Sequence, residues 1–168
     1  MKLKPLKIIL LIIVIFGVFV IALWNLSPPQ HIKDILIPNE GDYTQIAEIY
    51  YEDSQKYTDL ILAYSPCYEN ADGEFLIHCY SLKHDIVISA DAYRAFQIVN
   101  GSFRLDKHQL ERVYVYDTFV TFGIENGRES FIYSVEGKKP SYVNNPNEES
   151  KRNRIRKITD HWYYACSS

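Results

Sequence analysis

Residues 8–24 read IILLIIVIFGVFVIALW, an unbroken apolar run with no charged or strongly polar member. As a helix this run is about 26 Å long at about 1.5 Å per residue. That is close to the roughly 30 Å hydrocarbon core of a bilayer. Trp24 closes the run with an indole, a ring that favours the headgroup boundary. A helix apolar on every face belongs in a membrane or at the centre of a large core. The remainder of a 168-residue chain is too small to wrap one.

The run is longer than the apolar stretch of a usual secretion signal, and no small-x-small cleavage pattern follows it. Asn25 stands two positions before Ser27, and Pro28 comes directly after. These features favour a retained anchor over a cleaved signal peptide. No Cys follows closely enough for lipoprotein processing, and the run lacks the early acidic residue of a pilin-like start. Lys2, Lys4 and Lys7 precede the run, and Lys33 alone carries positive charge in the twenty residues after it. The positive-inside bias then sets the N-terminus in the cytoplasm and the bulk of the chain outside. The expected location is the cell membrane, crossed once. Gly17 is the one small residue in the middle of the run, so the helix reads as a tether more than a close-packing element.

The expected organisation is a basic N-terminus (1–7), a transmembrane helix (8–24), a stalk stiffened by Pro28 and Pro29 (25–41) and one extracytoplasmic domain (42–168). Three of the 18 basic residues precede the run, which leaves 15 against 21 acidic residues beyond it, a net charge of −6. Such a domain is poorly suited to nucleic acid, which needs surplus Lys and Arg at its phosphates.

The fold class expected is α+β, with a mainly antiparallel sheet and two or three helices. A helix is predicted over 42–57, with Asp42 as N-cap and Gln45 completing a capping box. Ile46, Ile49, Tyr50 and Tyr57 share one face, and Glu52 and Lys56 are spaced to pair on the other. A second helix is predicted over 90–99, stopped by Asn100–Gly101. Short strands are predicted over 60–64, 75–80 and 86–88, and a last strand at or near the sheet edge over 162–165.

The firmest pattern is a three-strand meander over 113–116, 119–124 and 130–135, its second turn carrying Asn126–Gly127. Two-residue turns would set Val115 opposite Val120, Val113 opposite Phe122, Phe122 opposite Phe131, and Val120 opposite Tyr133. All of these fall on one side, and a one-residue slip would scramble them. The other side carries Tyr114, Tyr116, Phe119, Thr121 and Ile132, and needs cover.

All 14 tyrosines follow the anchor. Tyr suits strands and half-wet surfaces, so they read first as a tyrosine-rich sheet, with an aromatic binding surface as the functional alternative. Cys67, Cys79 and Cys166 make an odd count in an exported domain. A hairpin centred on Gly73 would set Cys67 opposite Cys79 as a possible disulfide, and buried idle thiols are the alternative. Lys151, Arg152, Arg154, Arg156 and Lys157 form a basic run in an acidic domain, a possible contact for an anionic surface. A solvated segment offset by Glu148 and Glu149 is the plainer reading.

His31, His78, His84, His108 and His161 show no metal-ligand spacing, no G-x-S-x-G elbow occurs, and the seven glycines form no phosphate loop. No metal or cofactor is expected, and no catalytic constellation is evident. The function expected is a membrane-anchored domain that binds or regulates a protein or envelope-polymer partner. The alternatives are an assembly component of an envelope or secretion complex, and a hydrolase using Cys67 with His78 or His84.

Overall fold

The computed structural model describes residues 12–18, 27–57, 60–105, 110–124, 129–140 and 154–166. In it the Val and Phe pattern of the meander produces three strands in the expected register. β5 (Leu110–Val115), β6 (Phe119–Ile124) and β7 (Glu129–Ser134) pair Val115 with Val120, Val113 with Phe122, Phe122 with Phe131, and Val120 with Tyr133. The residues of the Asn126–Gly127 turn lie outside the described set.

The sheet is larger than the meander. β1 (Leu62–Tyr64), β2 (Tyr68–Glu69), β3 (Phe75–Cys79) and β4 (His84–Val87) extend it on one side, and β9 (Trp162–Cys166) and β8 (Arg154–Lys157) on the other. The result is a nine-stranded sheet in which every pairing is antiparallel. The last strand, β9, lies one lane in from the edge, and the Arg-rich β8 takes the edge position. β3 has β4 along one side and both β1 and β2 along the other.

Between β1 and β2 the register slips. Four steps from Tyr64 to Tyr68 face three steps from Cys79 to Leu76, so one residue bulges. Pro66 sits in that bulge, where its missing N–H costs no ladder bond. The Ser65 hydroxyl accepts the His78 N–H at 2.9 Å. The Ser65 carbonyl, released from the ladder, accepts the Tyr50 hydroxyl at 3.0 Å.

α1 (residues 12–18) is the part of the apolar run that is described. Its large side chains, from Val14 at 55% to Phe16 at 66%, are exposed. Among the described residues no helix is long and apolar enough to cross a membrane. α2 (Gln30–Leu36) leads through a 3-10 turn (Ile37–Asn39) into α3 (Glu40–Ser54), and α4 (Ala90–Leu105) follows β4. Ile32, Ile35 and Leu36 of α2 are buried, so the segment expected to be a stalk contributes to the core.

α3 begins at Glu40, two residues before the predicted cap. The chain already enters it as a helical turn through Pro38, and Asn39 is the cap residue, with no side-chain cap bond. Asp42 instead adds negative charge to the first turn, where the helix dipole favours it. α4 runs past Asn100–Gly101 to Leu105. A single glycine inside a helix costs only about 1 kcal/mol, and Val99 is fully buried beside it.

One core joins the three helices to one face of the sheet. Tyr43 meets Trp162 edge-on at 5.7 Å, and Tyr50 meets Phe122 at 6.0 Å and Tyr64 at 5.4 Å. The indole N–H of Trp162 donates to Thr44 at 3.1 Å. The second face of the meander is also covered: Phe119, Ile132, Tyr163 and Ala165 form a smaller buried cluster with Tyr116 and Ile155 packed on it. Within this face the Thr121 hydroxyl is buried with no hydrogen-bond partner among the described residues.

Phe122 is fully buried at the centre of the main core, whereas Val87 on edge strand β4 is 67% exposed. Phe122→Ala is expected to destabilise the full chain in detergent by about 3–5 kcal/mol. Val87→Ala should change stability by no more than about 0.5 kcal/mol. Urea titration followed by tryptophan fluorescence checks both.

Candidate functional site

The last turn of α3 carries an acid where its pattern calls for an apolar residue. Asp53 follows Ile46 and Tyr50 on the inward stripe and is 4% exposed. A buried carboxylate needs donors, and Asp53 has three. Lys56 donates to Oδ1 at 2.8 Å, and the Tyr64 hydroxyl and His84 Nε2 both lie 3.1 Å from Oδ2. An ionised carboxylate only accepts, so His84 carries its proton on Nε2 in this contact. Asp53 thus ties α3 to β1 through Tyr64 and to β4 through His84. The Tyr57 ring packs 5.7 Å from the His84 ring and covers the same junction.

Burial pushes the Asp53 carboxyl upward, but the bonds from Lys56, His84 and Tyr64 outweigh it and hold the group below the ordinary carboxylate range. Burial and the adjacent Asp53 charge push the Tyr64 phenol up, which keeps it a donor. Lys56 was expected to pair with Glu52. It turns to Asp53 because the buried carboxylate has no solvent to satisfy it. The sequence signal was present, in the i, i+4, i+7 spacing of Ile46, Tyr50 and Asp53.

Beside this junction a groove of about 660 Å³ opens between α3, β4 and the start of α4. Gln45, Glu48, Ile49, Glu52, Asp53 and Lys56 form one wall, and Ile86, Val87, Ile88, Ser89 and Ala92 the other. Glu48 and Glu52 are exposed along its rim, whereas Ile49 and Ile86 are half-buried and Ile88 is buried. The Tyr133 hydroxyl donates to Glu48 at 3.3 Å. Ser89 fixes the α4 end of the groove, its hydroxyl accepting the Ala92 N–H at 3.1 Å.

The outer face of β3 and β4 carries a second polar group. His78 Nδ1 lies 2.7 Å from Asp85, and the Tyr68 hydroxyl reaches the same carboxylate at 3.5 Å. The Arg112 guanidinium lies 5.8 Å over the Tyr80 ring. Tyr68 and Tyr80 are exposed, whereas Tyr43, Tyr50, Tyr64, Tyr133, Tyr163 and Tyr164 are buried. The tyrosines therefore serve the sheet core first.

Cys67 and Cys79 are both buried free thiols. The β2–β3 hairpin pairs Tyr68 with Leu76 and Glu69 with Phe75, so it is centred on Asp72 and not on Gly73, and the register sets Cys79 against Tyr64 and His84 instead of Cys67. The Cys67 sulfur lies 3.9 Å from the Tyr50 hydroxyl. Burial pushes its thiol up to about 12. That opposes the thiolate a cysteine nucleophile needs. His84 is bound to Asp53 and His78 to Asp85, so neither pairs with this thiol.

Of the basic run, Lys151 and Arg152 lie outside the described residues. Arg154, Arg156 and Lys157 form β8. A strand sends neighbours to opposite faces, so Arg156 and Lys157 do not share one patch. Arg156 donates to the Ser27 carbonyl at 2.6 Å, and Lys157 to Asp160 at 3.0 Å. Among the described residues no three His, Cys, Asp or Glu side chains are grouped to hold a metal ion.

Comparison with protein-family models, with curated proteins and with solved structures finds no match to this chain.

Because the Asp53 carboxyl is held below its unfolded value of about 3.9, its stabilisation is present above that pH and is lost as pH falls through the folded value. Asp53→Asn should therefore lower Tm at about pH 5, and the gap to the parent chain should close below about pH 4. Asp53→Ala, which takes the carboxylate acceptor from the buried Tyr64 hydroxyl, should cost about 1–3 kcal/mol. Thermal melts of the three proteins between pH 6 and pH 2 measure both effects.

Proposed function

We propose that this chain is a single-pass membrane protein whose extracytoplasmic domain binds a partner in the groove between α3 and β4. The groove carries the reading: it is open, mixed in lining and held in shape by the hydrogen bonds to the buried Asp53 carboxylate in its wall. Binding sites combine apolar area with a few placed polar groups in this way. The membrane half of the reading is supported by the apolar run of residues 8–24, the lysines before it and the exposed apolar side chains of α1.

The contact between Arg156 and Ser27 bears on how the domain sits. Ser27 comes three residues after Trp24. Edge strand β8 is thereby joined through Arg156 to the chain just after the apolar run. β4 lies at the opposite end of the sheet, and the groove opens there.

Two measurements test the proposal in the native membrane. Protease added to sealed cells or spheroplasts should remove the C-terminal domain and spare an N-terminal tag. Digestion that requires permeabilisation overturns the orientation. A photo-crosslinking residue in place of Glu52 should give a discrete adduct, and one in place of Asp72, in the β2–β3 turn away from the groove, should give none. Equal labelling from both positions, or none from Glu52, removes the groove as a binding site.

A further inference from the structure

We propose that the groove takes an extended basic peptide, which adds to the free edge of β4 as a further strand. This rests on the groove being the binding site, and specifies what enters it.

Among the described residues β4 pairs with β3 and with no other strand. The phase of that ladder is set by the Ile88 N–H, which donates to the Phe75 carbonyl at 2.9 Å. Antiparallel pairs alternate, so His84, Ile86 and Ile88 turn their backbone groups to β3. Asp85 and Val87 turn theirs outward. Two N–H and two C=O groups are thus presented on an edge where Val87 is 67% exposed. Main-chain bonds of this kind supply affinity when a peptide adds to a sheet, and alternate side chains supply selectivity.

The two edges of the sheet differ. β8 reads RIRK, and charged edge residues discourage strand addition. β4 continues as Ile86, Val87 and Ile88, and the groove runs along its helix side. Every second side chain of an added strand would enter that groove. There it meets Ile49, Ile86 and Ile88 below and the carboxylates of Glu48 and Glu52 above. Lys56, the cation on that wall, is turned to Asp53 at 2.8 Å, and among the described residues Glu48 receives the neutral Tyr133 hydroxyl and no cation. The rim therefore favours Lys or Arg in the entering side chains, and the isoleucines accommodate their aliphatic stems. Proline is excluded from the pairing positions, because it would remove a donor.

The test uses the purified full chain in detergent and a fluorescein-labelled octapeptide of alternating lysine and valine. Fluorescence anisotropy should show saturable binding that weakens about tenfold as salt rises from about 50 mM to about 500 mM. Glu48→Gln with Glu52→Gln should weaken it about tenfold at low salt. Val87→Pro removes an outward N–H without touching the β3 ladder, and should also weaken binding about tenfold. If that variant does not fold, the same peptide N-methylated on every second residue carries the test and should not bind. An alternating glutamate and valine peptide that binds as tightly, or binding unaffected by Val87→Pro and by N-methylation, overturns the proposal. Self-association through β4 that the peptide cannot displace overturns it in favour of a second copy of this chain. If Glu52 crosslinks in the membrane while the lysine peptide does not bind, the groove stands and the basic strand falls. If both fail, the groove falls with it.

Discussion

The architecture depends on how α3 is seated, and α3 is seated by two tyrosines. Tyr43 and Tyr50 lie two helical turns apart and both project into the sheet. Tyr43 reaches Trp162 at 5.7 Å and Phe131 at 5.9 Å, and Tyr50 reaches Phe122 at 6.0 Å and Tyr64 at 5.4 Å. Aromatic rings at these separations gain packing beyond simple area burial. Their hydroxyls are also accepted, that of Tyr50 by the carbonyl freed at the Ser65 bulge. A phenol is apt for this place because it buries a large ring and still satisfies a stray carbonyl.

With α3 held across the sheet, its last turn arrives above β1 and β4. That placement is what lets Asp53 collect Lys56, Tyr64 and His84. The cluster serves as a clamp: a charge buried in the wall of a groove holds one helix and two strands at set distances. Removal of any donor leaves a group that water cannot readily reach. The clamp therefore gives the groove its shape without filling it, and the carboxylates farther along α3 remain on the rim.

The sheet also has a direction. Its β8 end is guarded by charged residues and joined through Arg156 to Ser27, while its β4 end, which carries Ile86 and Val87 beside His84 and Asp85, has no further strand among the described residues. If the lanes are about 4.8 Å apart, the two edges stand roughly 34 Å from each other along the sheet. The apolar cluster on the second face, with Phe119, Ile132 and Tyr163, is already covered and offers no competing surface.

Local pattern determined a good part of this. The meander register followed from period-two alternation and short turns, because a single slip would expose Phe122 and Phe131 together. The presence of α3 and α4 followed from helical spacing, although not their ends. Helix ends depend on what lies nearby: the turn at Pro38 feeds α3 early, and packing around Val99 carries α4 through Gly101. Asp53 shows the limit most clearly. From sequence it is one acid among several on an amphipathic helix, and Glu52 looks like the natural partner for Lys56. Only the tertiary structure brings Tyr64 and His84, distant along the chain, to its two oxygens, and so decides that this acid is buried and clamped. The same holds for the cysteines, where a hairpin centred on Asp72 instead of Gly73 leaves Cys67 out of register with Cys79. Sequence sets the periodicity of each element, and the three-dimensional packing sets which side chains from separate elements share a site, because those contacts join positions that no local rule connects.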